Sequence, residues 1–197
     1  MSISVSEIKH LRDKTGAGMM DCKEALEASG GDVEKAILHL RKKGLSDIGK
    51  RSHKTASEGT VGYYIHAGGK IGVMVEINCE TDFVAKGEAF QTFAKEVAMH
   101  IAAANPQWIT SDEVPQDVID REKEVMADSL QGKPEAVIDK IVEGKLAKFY
   151  KETCLMNQLF VRDTNITITD LLGDLAAQVG EKIVIKRFMR FAVGEGQ

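Results

Sequence analysis

Few residues in this chain have the types and spacing needed for covalent or metal chemistry. One set can be written down: Cys79 as nucleophile, His66 as base and Asp82 as the orienting acid, with Cys79 and Asp82 where a strand pattern gives way to a helix pattern. His66, however, precedes a hairpin turn, and nothing in the sequence brings its ring to the thiol. A buried structural cysteine and a loop histidine make the simpler reading. Thr15-Gly16-Ala17-Gly18 contains GxG, yet no strand precedes it and no lysine stands at P-loop spacing, so it reads as a turn between helices. Cys22, Cys79 and Cys154 are isolated and odd in number, which suggests neither a disulfide framework nor a zinc site. No metal or cofactor is expected.

What remains is the junction Asn78-Cys79-Glu80-Thr81-Asp82-Phe83-Val84-Ala85-Lys86. Before it, Ile71, Val73, Val75 and Ile77 alternate with Gly72, Met74, Glu76 and Asn78, a strand with one apolar face. From Phe90 onward, Phe93, Ala94, Val97, Ala98, Ile101 and Ala102 repeat at helical spacing. Asp82 and Phe83 thus lie on a corner between two rigid elements. Residue type alone leaves two readings: Asp82 caps the helix and Phe83 folds into the core, or the corner pushes an acid and an aromatic ring into a partner.

The elements around this corner fall into a helical head, a linker and a mixed body. In the head, Ser4 and Glu7 have capping-box spacing and Ile3 with Ile8 fits a hydrophobic staple. A first helix stops near Thr15-Gly16. A second runs from about Met19 to Ser29, and Asp32 caps a third that carries Val33, Ala36, Ile37 and Leu40 before Gly44. Residues 1–45 are expected to form a three-helix docking module resembling a ubiquitin-associated domain. Adjacent Met19 and Met20 cannot both face one core, so one is expected to meet solvent or a partner. Residues 46–58 lose periodicity and read as a linker with a basic cluster, Lys50, Arg51, His53 and Lys54.

Residues 59–197 form the expected body. Val61, Tyr63 and Ile65 alternate, Ala67-Gly68-Gly69-Lys70 turns, and the strand from Ile71 returns. After the Phe90 helix, Asn105-Pro106 breaks the chain and Trp108 reads as a loop cover on the core. Two charged helices joined at Gly132-Lys133-Pro134 predict a protruding helical hairpin over 115–152. An irregular stretch over 154–161, a helix from about Asp170 to Val179 and a last strand over 183–193 complete it. The fold class is α+β: a small three-stranded antiparallel sheet packed by helices, beside the helical head.

Composition sets outer limits. Apolar residues are 43% and charged residues 28%, ordinary for a globular protein, and 26 basic against 30 acidic side chains give a net charge of −4. That balance gives no push toward direct nucleic-acid binding. No apolar run approaches a membrane span and the N-terminus has no signal-peptide core, so a reducing cytoplasm is the expected compartment.

Two long motifs match a family. Leu11-Arg12-Asp13-Lys14-Thr15-Gly16-Ala17-Gly18-Met19-Met20-Asp21-Cys22-Lys23-Glu24-Ala25-Leu26 resembles the N-terminal signature of the elongation factor Ts family, and 78–86 resembles its second signature. The ending Phe188-Met189-Arg190-Phe191-Ala192-Val193-Gly194-Glu195-Gly196 is similar to its closing strand. The resemblance spans essentially the whole chain, with one hairpin-plus-helix half where long members carry two. It implies a guanine-nucleotide exchange factor for elongation factor Tu, one that makes and breaks no covalent bond. Such a factor binds the GDP-bound and nucleotide-free partner, displaces magnesium and lets GTP replace GDP. By the family pattern, Thr81, Asp82, Phe83 and Val84 form the magnesium-displacing element, with Phe83 as wedge. The same pattern implies that Leu11, Arg12, Met19 and Met20 dock on the partner's G domain. His66, in Tyr64-Ile65-His66-Ala67-Gly68, resembles a contact position of the half this chain lacks.

Two other classes are separable. An interaction adaptor built on the head, without exchange activity, would leave Phe83 unexplained and pull down many partners. A cysteine-dependent enzyme would show unusually fast labelling of Cys79 near neutral pH. On assembly, the sheet carries apolar groups in both phases: Val184, Phe188 and Ala192 on one, Ile183, Ile185, Met189 and Phe191 on the other. One phase can pack on the helices. The other would be covered by a second copy, predicting a homodimer that binds two GTPases, or by residues 154–163 in a monomer.

Overall fold

The computed structural model describes residues 3–50, 54–128 and 135–195. They divide into two compact units, 1–102 with 169–197, and 103–168.

The first unit begins with α1 (Val5–Thr15), α2 (Met19–Ala28) and α3 (Val33–Lys50). The Ser4 hydroxyl accepts the Glu7 amide while the Glu7 carboxylate accepts the Ser4 amide, a complete capping box. Gly16 ends α1 with φ 69° and donates its N–H to the Arg12 carbonyl at 2.7 Å. Ile8, Leu11, Ala17, Cys22, Ala25, Leu26, Ala36 and Leu40 make the head's core.

Helix α3 runs on through Gly44 to Lys50, so the first residues of the expected 46–58 linker are helical. The reason is packing. Gly44 is a crossing point where the backbone of Gly173 and Ala177 on α8 (Ile168–Val179) leaves no room for a Cβ. Gly173 in turn faces Arg41 and Leu45. Beside this crossing the Arg41 guanidinium grips Asp174 through two bonds of 2.7 Å and lies 3.6 Å from Asp170. Ala177 also packs on the head's core. Through these contacts α3 of the head packs on α8. Arg51 and His53 lie outside the described residues.

The sheet has the order β1 (Glu58–Ile65), β2 (Ile71–Cys79), β5 (Val184–Ala192), antiparallel throughout. Val73, Val75, Ile77 and Cys79 point inward, and α5 (Glu88–Ala104) supplies buried Phe90, Phe93, Ala94, Val97 and Ile101. Helix and sheet meet closely at Gly62, where a Cβ would stand 2.8 Å from the Ala94 carbonyl oxygen.

The phase of the last strand differs from the sequence expectation. The register slips between Glu76, opposite Arg187, and Ile77, opposite Ile185, leaving Lys186 as the extra residue. This bulge turns Ile183 and Ile185 to the buried side while Met189 and Phe191 stay outside. Phe188 faces inward opposite Val75 and is half-buried. The outer face presents Val61, Tyr63, Ile65, Met74, Met189 and Phe191, all exposed, with Tyr63 opposite Met74 and Met74 opposite Met189.

The second unit holds α6 (Gln116–Asp128) and α7 (Glu135–Thr153), which pack together as the expected hairpin. The turn at Gly132-Lys133-Pro134 lies outside the described residues. Val118, Ile119, Met126, Ile141, Leu146 and Phe149 are half-buried, whereas Val125 is exposed. Trp108 stacks at a tilt on Phe149, 6.1 Å between centroids, and bridges to Cys154. The stretch after Cys154, expected to be irregular, contains a small two-stranded sheet of β3 (Leu159–Phe160) and β4 (Asp163–Thr167).

Candidate functional site

Cys79 closes β2, and the chain turns at once into α4 (Asp82–Ala85), a single helical turn. Thr81 caps it: the hydroxyl accepts the Val84 amide at 3.3 Å. At the other end the Gln91 side-chain amide donates to the Ala85 carbonyl at 2.6 Å. The Cys79 thiol donates to the Thr81 carbonyl at 3.1 Å. The Glu181 carboxylate accepts the Glu80 and Thr81 amides and the Thr81 hydroxyl, while Glu80 accepts the Lys182 amide at 2.9 Å.

On this fixed base Phe83 is 85% exposed, the most exposed of the chain's large hydrophobic residues described. It does not fold into the core, which removes one of the two sequence readings. The cap is Thr81 and not Asp82. Asp82 is the first residue of the turn, where a negative charge suits the helix N-terminus. Its carboxylate accepts a 2.7 Å bond from the Lys86 ammonium, which holds it below the usual carboxylate range. Val84 is half-buried, and Ala85 anchors the turn inside.

The nucleophile set is not assembled. Cys79 pairs with Glu58 at one end of the hairpin, whereas His66 follows Ile65, opposite Gly72, at the other. Seven residues of strand separate those ends, roughly 23 Å. Burial pushes the Cys79 thiol pKa up, the wrong direction for a nucleophile. The His66 ring is exposed and its Nδ1 lies 3.2 Å from the Tyr64 hydroxyl. Among the described residues no group of three or more His, Cys, Asp or Glu could hold a metal ion, and no helix is long and apolar enough to cross a membrane.

On the head, Met20 is 74% exposed and Met19 36% at the start of α2, with Arg12 exposed nearby in sequence on α1. Leu11 departs from the expected contact set. It is 0% exposed, because its spacing with Ile8 turns it into the head's core, so it can only support the surface from beneath. Glu181 was missed by sequence reasoning. Its partners lie about a hundred residues away, and no local pattern marks it.

A family model described as elongation factor TS matches residues 21–195. Elongation factor Ts of Syntrophus aciditrophicus is 55% identical over 99% of this chain and 98% of its own length. That of Caldanaerobacter subterraneus subsp. tengcongensis is 57% identical over 98% of each, and that of Geobacter metallireducens 54% over 100% of this chain and 92% of its own. Identity at this level along nearly the full length leaves one conclusion: the chain belongs to the elongation factor Ts family.

Proposed function

We propose that the corner at Thr81, Asp82, Phe83 and Val84 is the working element of nucleotide exchange on elongation factor Tu. Membership of the elongation factor Ts family makes the chain the guanine-nucleotide exchange factor for that GTPase in translation elongation. Exchange requires only that the factor bind the nucleotide-free partner more tightly than the nucleotide-bound one; linkage then weakens GDP by the same factor. A coupling of about 4 kcal/mol corresponds to roughly a thousandfold.

The observation that carries the reading is an aromatic ring left bare on a base held from both sides. Seating a Phe ring in a partner contributes on the order of 1.5–3 kcal/mol, enough to offset part of the cost of moving a loop that holds magnesium. Asp82 arrives as an anion and redirects polar groups near the phosphates by exchanging Lys86 for partner donors. Arg12, Met19 and Met20 dock the G domain as the face of a ubiquitin-associated-like head, and His66 contributes from the end of β1. The three thiols, buried and unpaired, suit a reducing cytoplasm. The test is release of labelled GDP from purified elongation factor Tu with and without this protein; no acceleration would overturn the assignment.

The outer sheet face favours a finer statement about assembly. Val61, Tyr63, Ile65, Met74, Met189 and Phe191 form one exposed apolar surface, the kind a second copy covers through a two-fold axis. The active species is then a homodimer serving two GTPases. Light scattering at micromolar concentration decides it: a mass near the 21.6 kDa of one chain would remove the dimer.

A further inference from the structure

Helix α4 has four residues, far too short to persist by its own hydrogen bonds. Something else must hold the direction in which Phe83 leaves the chain. The turn between α8 and β5 provides it. Glu181 Oε2 accepts the backbone N–H of Glu80 at 3.0 Å and of Thr81 at 3.1 Å, and Oε1 accepts the Thr81 hydroxyl at 2.7 Å. With its O–H donated in a hydrogen bond to Glu181, Thr81 Oγ1 turns a lone pair to the Val84 amide, the capping bond of α4. One carboxylate therefore fixes both the entry of the backbone into the corner and the rotor that caps it. Bonds to an ionised acceptor are about twice as strong as neutral ones.

We infer that Glu181 is the positioning residue of the exchange corner, acting through Thr81 on Phe83. The inference rests on the wedge reading of Phe83 above. Its position has a second consequence. Glu181 lies one residue, Gly180, beyond α8, the helix gripped by the head through Gly44–Gly173 and Arg41–Asp174. The same short segment thus ties the docking head to the wedge, so that a head seated on the partner delivers the ring at a set place.

The experiment uses the full chain with Glu181→Ala, Glu181→Gln, Phe83→Ala and the double variant Glu181→Ala/Phe83→Ala. GDP release from elongation factor Tu is followed against factor concentration, and backbone amide exchange is followed in the free protein. Glu181→Ala is expected to lower the maximal release rate about fivefold to tenfold and to leave the half-maximal concentration within about twofold, because the head is untouched. Glu181→Gln, which keeps the shape but not the charge, should fall between it and the parent. The Glu80 and Thr81 amides should exchange at least about tenfold faster in Glu181→Ala. In the double variant the loss of Glu181 should add less than about twofold, since both residues act through one element. Full release by Glu181→Ala, or losses that multiply in the double variant, would overturn the inference. So would a raised half-maximal concentration with the maximal rate unchanged, the mark of a smaller folded fraction. Full release by Phe83→Ala would overturn the wedge reading instead; Glu181 then stands as the corner's positioning residue if its own variant still slows release and loosens the two amides, and falls if it does not.

Discussion

The corner at Phe83 and the outer face of the sheet both show apolar side chains to solvent, but they are built in opposite ways. Phe83 is a single ring, 85% exposed, and the backbone on either side of it is held by Glu181 and Gln91. On the sheet, six apolar residues adjoin one another across three strands, with the Glu76–Arg187 pair at 2.6 Å among them. A single exposed ring on a fixed base contributes little to the free protein, so its removal should leave the fold intact, and by the proposal above it would act by insertion. A contiguous face acts by area: trimming one residue matters little, while a charge at its middle matters greatly.

Met189→Glu is therefore expected to have the largest effect on assembly. Met189 pairs with Met74, itself opposite Tyr63, and a carboxylate there would be buried without a partner in a sheet-to-sheet dimer. The dissociation constant of the proposed dimer should rise by at least about a hundredfold, or about 2.7 kcal/mol, in line with the cost of a buried unpaired charge. A dimer mass that survives in light scattering would place the interface elsewhere. Phe188→Glu is not equivalent, because Phe188 faces inward opposite Val75 and its substitution would strike the fold.

The opposite signature is expected at the corner. Phe83→Ala should slow GDP release at least about tenfold while the melting temperature moves by no more than about 1 °C. A core phenylalanine cut to alanine would cost about 3–5 kcal/mol instead, so a fall of many degrees would end the contrast between inserted ring and packed face. The head offers a smaller version of the same test. Met20→Ala should weaken binding about threefold to tenfold with the stability unchanged, as for one exposed contact among several. Leu11→Ala should lower stability by about 2–5 kcal/mol, since Leu11 lies wholly in the head's core. Equal behaviour of the two variants would contradict the division between surface and support.

Periodicity made most elements legible. The capping box at Ser4, the alternation from Ile71 and the helical stripe from Phe90 each correspond to an element of the fold. Two features escaped it, for two physical reasons. Gly44 has the same type whether it stops a helix or lets two helices cross, and only the neighbour Gly173 decides. The bulge at Lys186 changes the facing of Ile183 and Ile185 without altering the apolar pattern that would reveal it. Leu11 did not escape it: its spacing with Ile8 marks it as core, and the contact role came instead from the family motif. The candidate corner was legible as strand, acid, aromatic and helix, but not the exposure of Phe83 or the hold of Glu181, which depend on pairing across the fold.

The smallest expected effect comes from the titrating pair at the corner itself, Asp82 with Lys86. The Lys86 ammonium beside Asp82 lowers the carboxyl pKa, and Asp82 raises the Lys86 pKa. A carboxyl whose folded value is lowered contributes stability that is present above its unfolded value of about 3.9 and is lost as pH falls through the folded value. The lysine, with its folded value raised, contributes fully below about 10.4 and loses that contribution as pH rises through the folded value. Between about pH 5 and 10 the pair is constant, so it should give exchange no pH dependence near neutrality. Both side chains are well exposed, at 64% and 77%, and such i,i+4 pairs are screened by salt. Asp82→Asn should accordingly lower the melting temperature by less than about 2 °C at pH 7 in low salt. That difference should shrink in high salt and disappear as acid protonates the parent's carboxyl. Melting curves of parent and variant between pH 7 and 2.5 check the sign: a difference that widened on acidification would mean that Lys86 is not the group holding Asp82 in its charged form.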